Sequence, residues 1–281
     1  MSADLSRTRM ESGQVMRVER FGSLVELTVL LPNLAATAEP GQFAQLRCGP
    51  GVEPLLRRPF SVAWIDGDEC AFVFEEVGAG TRLLGGLGPG DELEVLGPLG
   101  HGFTLDGVAD SCVVISGGVG CAPFPLLIRR LMDRGARDIL VFSGAQTAAR
   151  LYPAPRFRRG AAIEVRETTY DGSRGMRGVV TDLLRALPDA GERDVYACGP
   201  NRMLAAVWDV LTERETRAVV LEASLEAPMG CGFGTCLGCA VPAFDAVGTS
   251  RWALCCSDGP VLPMSTVDWD AVRAMPGADV A

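Results

Sequence analysis

Between residues 14 and 99, apolar and polar positions alternate in short runs broken by turn formers. Val25, Leu27 and Val29 alternate with Glu26 and Thr28, and further apolar runs follow over 60–65, 70–77 and 92–96. A period of two marks strands. Pro40-Gly41, Asp66-Gly67-Asp68 and Pro89-Gly90-Asp91 separate the runs, because Gly and Asp tolerate the backbone angles of tight turns and Pro presets one of them. Short strands at this spacing predict a small antiparallel barrel.

The period changes near residue 110. Cys112 to Ser116 is a continuous apolar strand, Gly117 to Gly120 a loop, and Phe124 to Arg134 a helix. Strands over 139–142, 163–166, 194–198 and 218–221 then interleave with helices over 179–187 and 201–213, which predicts a parallel α/β sheet. Beyond Glu222 no period is sustained, and Gly, Cys and Pro dominate as far as Pro263. The expected fold is therefore multi-domain, β plus α/β: an antiparallel barrel over 10–105, a parallel-sheet α/β domain over 106–222, and a small cofactor-built module over 223–270. A chain of 281 residues has room for units of this size.

Composition narrows the chemistry. Every basic residue is Arg, with no Lys, and His101 is the only His. A Schiff-base lysine, a P-loop lysine and a multi-His metal centre are excluded. The net charge of −9 repels phosphate backbones and anionic lipid, so neither nucleic acid nor a membrane is expected as partner. Residues 1–7 lack the apolar core of a signal peptide, and no apolar run reaches membrane-spanning length; a cytoplasmic location is expected. Ten Cys in a reducing compartment point to metal or redox chemistry in preference to disulfides.

The cysteines cluster near the C-terminus. Cys231, Cys236 and Cys239, followed by Cys256, form C-x4-C-x2-C-x16-C, the spacing of plant-type [2Fe-2S] ligands. Such a cluster takes two thiolates per iron, and Gly230, Gly232, Gly234 and Gly238 free the backbone to wrap it and aim N–H groups at sulfur. Four thiolates also suit a structural zinc, although adjacent Cys255 and Cys256 are poorly arranged to chelate one ion together; only one of them is expected as a ligand. Cys48, Cys70, Cys112, Cys121 and Cys198 lie apart and are expected in the core.

Two loops in the α/β half are candidates for a pyrophosphate. Gly117-Gly118-Val119-Gly120-Cys121-Ala122-Pro123 lies between a strand and a helix, and Cys198-Gly199-Pro200 ends another strand of the same sheet. Ligands bind beyond the carboxyl ends of such strands. The first loop is not G-x-G-x-x-G, since Pro123 stands at the last position. In the barrel half, Arg57-Arg58-Pro59-Phe60-Ser61 opens a strand, and Gly78-Ala79-Gly80-Thr81 follows another; both can hold a diphosphate through charge and backbone N–H groups.

The order R-P-x-S, G-x-G-T, G-G-x-G-x-A-P, C-G-P resembles the ferredoxin reductase superfamily, and the cysteine tail ending in Cys256-Ser257-Asp258-Gly259-Pro260 resembles the electron-transfer subunits of class 1B dihydroorotate dehydrogenases, over about residues 14–263. The resemblance implies FAD on Arg58, Pro59, Phe60, Ser61, Val73, Phe74, Glu75, Gly80 and Thr81, with Arg57 facing elsewhere. It implies NAD(H) as substrate at Gly117, Gly118, Gly120, Cys198, Gly199 and Pro200, and a [2Fe-2S] cluster on Cys231, Cys236, Cys239 and Cys256. No acid–base catalytic residue is required for hydride transfer. The implied partner is a flavin-containing dihydroorotate dehydrogenase catalytic subunit of pyrimidine biosynthesis, in a heterotetramer of two of each. A reductase subunit of a hydrogenase or of a ferredoxin-dependent transhydrogenase has a related plan, and a non-redox binding protein with a zinc-stapled tail is the alternative from another class. The tail beyond residue 221 is acidic, with Glu222, Glu226, Asp245, Asp258, Asp268, Asp270 and Asp279 against Arg251 and Arg273. Phe233, Leu237, Val241 and Phe244 are expected there as the apolar centre of a docking face.

Overall fold

The N-terminal alternation closes on itself in the computed structural model, which describes residues 5–49, 51–107, 109–159, 163–188 and 192–275. Strands β1 (Arg9–Phe21), β2 (Leu24–Leu30), β3 (Phe43–Leu46), β4 (Arg58–Asp66), β5 (Glu69–Glu75) and β6 (Glu92–Leu99) form a closed barrel in the order β1-β2-β5-β4-β3-β6. Every pairing is antiparallel. Helices α1 (Pro32–Thr37) and α2 (Ala79–Gly85) lie in the connections. Inward residues such as Val25, Leu27, Val29, Phe72 and Phe74 fill the interior.

Next come β7 (Ser111–Gly117), α3 (Phe124–Asp133), β8 (Asp138–Ala145), α4 (Ala154–Arg158), β9 (Glu164–Thr169), β10 (Met176–Arg177), α5 (Val180–Arg185), β11 (Asp194–Cys198), α6 (Asn201–Glu213) and β12 (Leu221–Ser224). The tail adds the hairpin β13 (Ala240–Phe244) and β14 (Ser250–Leu254), then β15 (Val261–Pro263) and α7 (Trp269–Ala274). The sheet order is β10-β9-β8-β7-β11-β12-β15, parallel except for β15, which returns antiparallel to β12. Among the described residues no helix is long and apolar enough to cross a membrane.

Two sequence expectations change, and the β2 alternation gains a meaning that the sequence did not carry. The last parallel strand occupies 221–224 in place of 218–221, because the amides of Val219 and Val220 donate to Asp194 Oδ1 at 3.1 and 2.8 Å and so leave the ladder. The tail holds three strands and a helix despite its lack of period. The polar members of the β2 alternation, Glu26 and Thr28, are fully buried. The α/β unit covers that face: Leu24, Trp64 and Val73 share one core with Phe124, Leu127, Tyr152 and Phe157. Glu26 accepts from Trp64 Nε1 at 3.1 Å, Tyr152 Oη at 2.6 Å and Arg156 Nη1 at 3.2 Å, the condition under which a carboxylate is retained in an interior. Residues 1–4, read above for a signal peptide, and Asp279 lie outside the described residues.

Candidate functional site

The parallel sheet reverses its order between β7 and β11: β8 and β9 extend to one side, β12 to the other. A crevice at the carboxyl ends of such a pair is where open α/β sheets bind ligands. Ser116 is in register with Cys198, so the Gly117–Gly120 and Cys198–Pro200 loops sit side by side there. They touch: a Cβ on Gly120 would lie 2.3 Å from the Cys198 carbonyl oxygen, and one on Gly199 3.0 Å from the Gly117 nitrogen. Gly118 has φ 54° and opens onto free space, leaving backbone accessible to a ligand. Cys198 and Cys121 are buried beside this crevice. Burial is the main cause that raises both thiols, Cys198 to about 12, so neither is a nucleophilic thiolate near neutral pH.

The turn over 118–121 also packs against β5, which carries the barrel candidates Val73, Phe74 and Glu75. Alternation sends these in opposite directions. Phe74 points into the barrel and meets Phe60 with ring centroids 5.0 Å apart. Glu75 points out, where Arg150, in the turn after β8, donates from Nε and Nη2 at 2.9 and 2.5 Å and Ser23 donates at 2.7 Å. Burial opposes the Glu75 charge, but those partners outweigh it and hold its pKa below the usual range. With its carboxylate occupied, Glu75 has its backbone to offer a ligand. Arg150 carried no sequence signal.

Arg58 and Arg57, adjacent in sequence, diverge. Arg57 is paired with Glu94, whereas among the described residues Arg58 donates only to the carbonyls of Leu56 and Arg57, at 2.9 and 3.4 Å. Its guanidinium crosses Gly80, where a Cβ would lie 3.3 Å from Nε. Thr81, at the third position of α2, accepts the Gly78 amide at 3.0 Å and so fixes the loop over 78–81 next to that cation. A charge without a carboxylate partner beside a Gly-Thr loop is suited to a diphosphate. Pro59 and Ser61 lie opposite Gln45 and Phe43, on the outer face of the barrel.

That outer face continues into the tail. Phe43 and Leu99 share a core with Cys239, Cys255 and Cys256. The four spaced cysteines fall into two pairs. Cys239 Sγ lies 3.1 Å from Cys256 Sγ, which also accepts the Gly234 amide at 3.1 Å. Cys231 Sγ accepts the Cys236 amide at 3.5 Å. Partial burial disfavours the Cys231 thiolate, but the amides of Cys236, Phe233 and Thr235 outweigh it and bring the thiol down to about 6. Burial and then the facing Cys239 sulfur push Cys256 up to about 12, so a thiolate pair there calls for a cation between the sulfurs. Among the described residues, no three His, Cys, Asp or Glu side chains gather as ligands of one ion, and two dithiolate pairs suit a binuclear cluster better than one zinc. Cβ atoms on Gly230 and Gly238 would stand 3.5 and 3.6 Å from Cys236 Sγ, so the glycines keep that sulfur uncovered.

Cys255 sits in the core, fully buried, as do Cys48, Cys70, Cys112, Cys121 and Cys198 within a few per cent. Val241, expected at the surface, is also core at 0% exposure, and Phe244 is half-buried. Phe233, Leu237 and Val247 are exposed instead, with Trp252, which sequence reasoning missed. Alternation along β14, which sends Ala253 inward, is the signal that could have found it.

Residues 226–268 match the iron-sulfur cluster binding domain of dihydroorotate dehydrogenase B, and residues 114–209 the oxidoreductase NAD-binding domain. Among solved structures, an NADH-dependent reduced ferredoxin-NADP oxidoreductase aligns with TM-score 0.79 and 26% identity, over 93% of this chain and 91% of that one. A ferredoxin NADP+ reductase from Neisseria gonorrhoeae, solved with bound FAD and NADP, shares the fold at TM-score 0.60 and 17% identity, over 73% of this chain and 91% of that one. The dihydroorotate dehydrogenase B electron transfer subunit of Desulforamulus reducens is 36% identical over 85% of this chain and 90% of its own. For the same subunit from Lysinibacillus sphaericus the figures are 35%, 92% and 98%, and from Geobacillus thermodenitrificans 40%, 84% and 89%. With the barrel, the crevice and the cysteine pairs in this order along the chain, these identities show that it belongs to the family of dihydroorotate dehydrogenase B electron transfer subunits.

Proposed function

We propose that this chain carries electrons between NAD(H), FAD and a [2Fe-2S] cluster, and exchanges them with a separate flavin-containing dihydroorotate dehydrogenase subunit, as a cytoplasmic heterotetramer of two of each. The observation that carries this reading is adjacency. The flavin-type strands β4 and β5 lie between the crevice turn, which packs on β5, and the cysteine loop, which abuts β3 opposite β4. Flavin accepts a hydride as two electrons and passes them on singly to a one-electron cluster.

The residues divide the work. Arg58 with the Gly80-Thr81 loop holds the FAD diphosphate, and Pro59, Phe60, Ser61 and the backbone of Val73, Phe74 and Glu75 line its ring. Gly117, Gly118, Gly120, Cys198, Gly199 and Pro200 form the crevice floor for NAD(H). Cys231 and Cys236 hold one iron, Cys239 and Cys256 the other. The barrel over 10–105, the nucleotide unit over 106–222 and the cluster module over 223–270 correspond to these three tasks. No side chain is asked to move a proton.

The test is anaerobic purification from the native source, with iron, sulfide, flavin and a visible spectrum measured on the complex. About two irons per FAD are expected, with a flavin-containing dihydroorotate dehydrogenase co-purifying. Zinc at the cysteines removes the cluster assignment. An iron-sulfur partner in place of the dehydrogenase would move the chain to the reductase subunits of hydrogenases or ferredoxin-dependent transhydrogenases.

A further inference from the structure

Gln45 is fully buried, and among the described residues neither its Nε2 nor its Oε1 has a hydrogen-bond partner. A buried carboxamide with both ends unsatisfied costs several kcal/mol in general terms, so its surroundings in the working protein must include a polar group. Its place narrows that group down. Ala44 and Leu46, its neighbours on β3, point into the barrel core, and alternation sends Gln45 outward with Phe43, toward the cysteine module. There it meets Gly232, between the first cluster cysteine and Phe233. Gly232 has φ 86°, and a Cβ on it would lie 2.7 Å from Gln45 Nε2 and 2.9 Å from Cγ. Only a residue without a side chain lets the carboxamide approach the loop this closely. On the strands, Gln45 lies opposite Pro59 and Leu96, neither of which offers it a side-chain polar group, and Pro59 has no amide hydrogen.

We propose that Gln45 is the hydrogen-bonding group that the barrel contributes to the [2Fe-2S] cluster: Nε2–H donates to sulfur at the Cys231 side of the loop, and so raises the cluster's reduction potential next to the flavin strands. The inference rests on the cluster assignment above. Its physical basis is that reduction adds negative charge to the sulfurs, so a donor stabilises the reduced form more than the oxidised one. Gln45 is a positioning and tuning residue and takes no part in hydride transfer.

The experiment uses the full chain with its cofactors, in wild-type and Gln45→Met forms; Met keeps the shape and removes both polar atoms. Iron, sulfide and FAD are quantified first, and the cluster midpoint and the EPR spectrum of the reduced cluster are then recorded. A wild-type chain with no iron and sulfide removes the cluster assignment, and this inference with it. With the cluster present, Gln45→Met is expected to lower the midpoint by about 59 mV, a tenfold shift in a one-electron equilibrium, and to change the EPR g-values, while FAD content is unchanged. Loss of the cluster with FAD retained counts equally in favour. A midpoint and g-values equal to wild type overturn the proposal, as does an effect confined to FAD binding. Should Gln45→Met fail to fold by circular dichroism, Gln45→Glu replaces it: an ionised carboxylate cannot donate and adds negative charge, so the midpoint again falls, and a wild-type value overturns the proposal.

Discussion

Arg150 holds Glu75 across the boundary between barrel and α/β unit through two parallel bonds, Nε to Oε1 at 2.9 Å and Nη2 to Oε2 at 2.5 Å. The pair joins β5, which carries residues proposed for the flavin, to the unit that carries the crevice proposed for the nucleotide, and on that proposal it sets the separation that governs hydride transfer.

The pair gives a pH dependence. Glu75 has its pKa lowered in the folded chain, against burial, by Arg150 and Ser23. A carboxyl with a lowered folded pKa adds stability above its unfolded value, and that contribution is lost as pH falls through the folded one. Wild type should therefore exceed Glu75→Gln by about 1 kcal/mol at pH 7, and the two melting temperatures should converge as pH falls below about 4.3. A difference that stays constant from pH 7 to pH 3 rejects the pair as its source.

Cys256→Ser should abolish or strongly alter the cluster's absorbance and EPR signal, because the Cys256 sulfur faces Cys239 at 3.1 Å. Cys255→Ser should leave both nearly intact and instead lower stability by roughly 1–3 kcal/mol, the cost of a hydroxyl in an apolar core. The opposite pattern of spectra would move the fourth ligand to Cys255.

Arg58→Ala should weaken FAD retention on dilution by tenfold or more, as expected for about 1.5–3 kcal/mol of charge-assisted bonding. Arg57→Ala should release its bonds to Glu94 and Met10 and change FAD affinity little. Equal flavin release from both variants would show that the two cations share the ligand.

Gly120→Ala should disrupt the nucleotide crevice, since its methyl would lie 2.3 Å from the Cys198 carbonyl oxygen. NADH-driven flavin bleaching in stopped flow should slow by orders of magnitude while bound FAD persists. Gly118→Ala meets no atom within 4 Å and carries only the left-handed backbone cost, about 1–2 kcal/mol. Similar rates for the two variants would place the nucleotide elsewhere.

Leu237 is 64% exposed and Trp252 66% exposed on the cluster module, and exposed apolar groups around an electron-transfer centre fit a docking face. Leu237 already has φ 60°, a region that Asp tolerates better than Leu, so Leu237→Asp adds charge without adding backbone strain. It should weaken the complex with the catalytic subunit at least tenfold, by analytical ultracentrifugation, while NADH still reduces the flavin. An unaltered complex, with the contact mapped to the barrel alone, rejects this face.

Much of the chemistry is local and therefore readable in the chain. The spacing of Cys231, Cys236 and Cys239, the Gly-rich strand ends and the Arg58-to-Ser61 run are each set by neighbours within a few residues, and period alone separates the barrel over 14–99 from the alternating α/β half. The tail from 223 onward resisted the same reading because β13, β14 and β15 are short and β15 pairs with a distant strand, β12. What only tertiary structure decided concerns residues with no motif. Gln45, Glu26, Arg150 and Trp252 are ordinary strand or turn residues, and their importance comes from what a remote segment places against them. Glu26 reads as a solvent-facing position of an alternating strand until Tyr152 and Arg156, more than a hundred residues later, cover it. Alternation reports that a strand has two faces; which of them meets water depends on docking, and docking is decided by surfaces that sequence distance keeps apart.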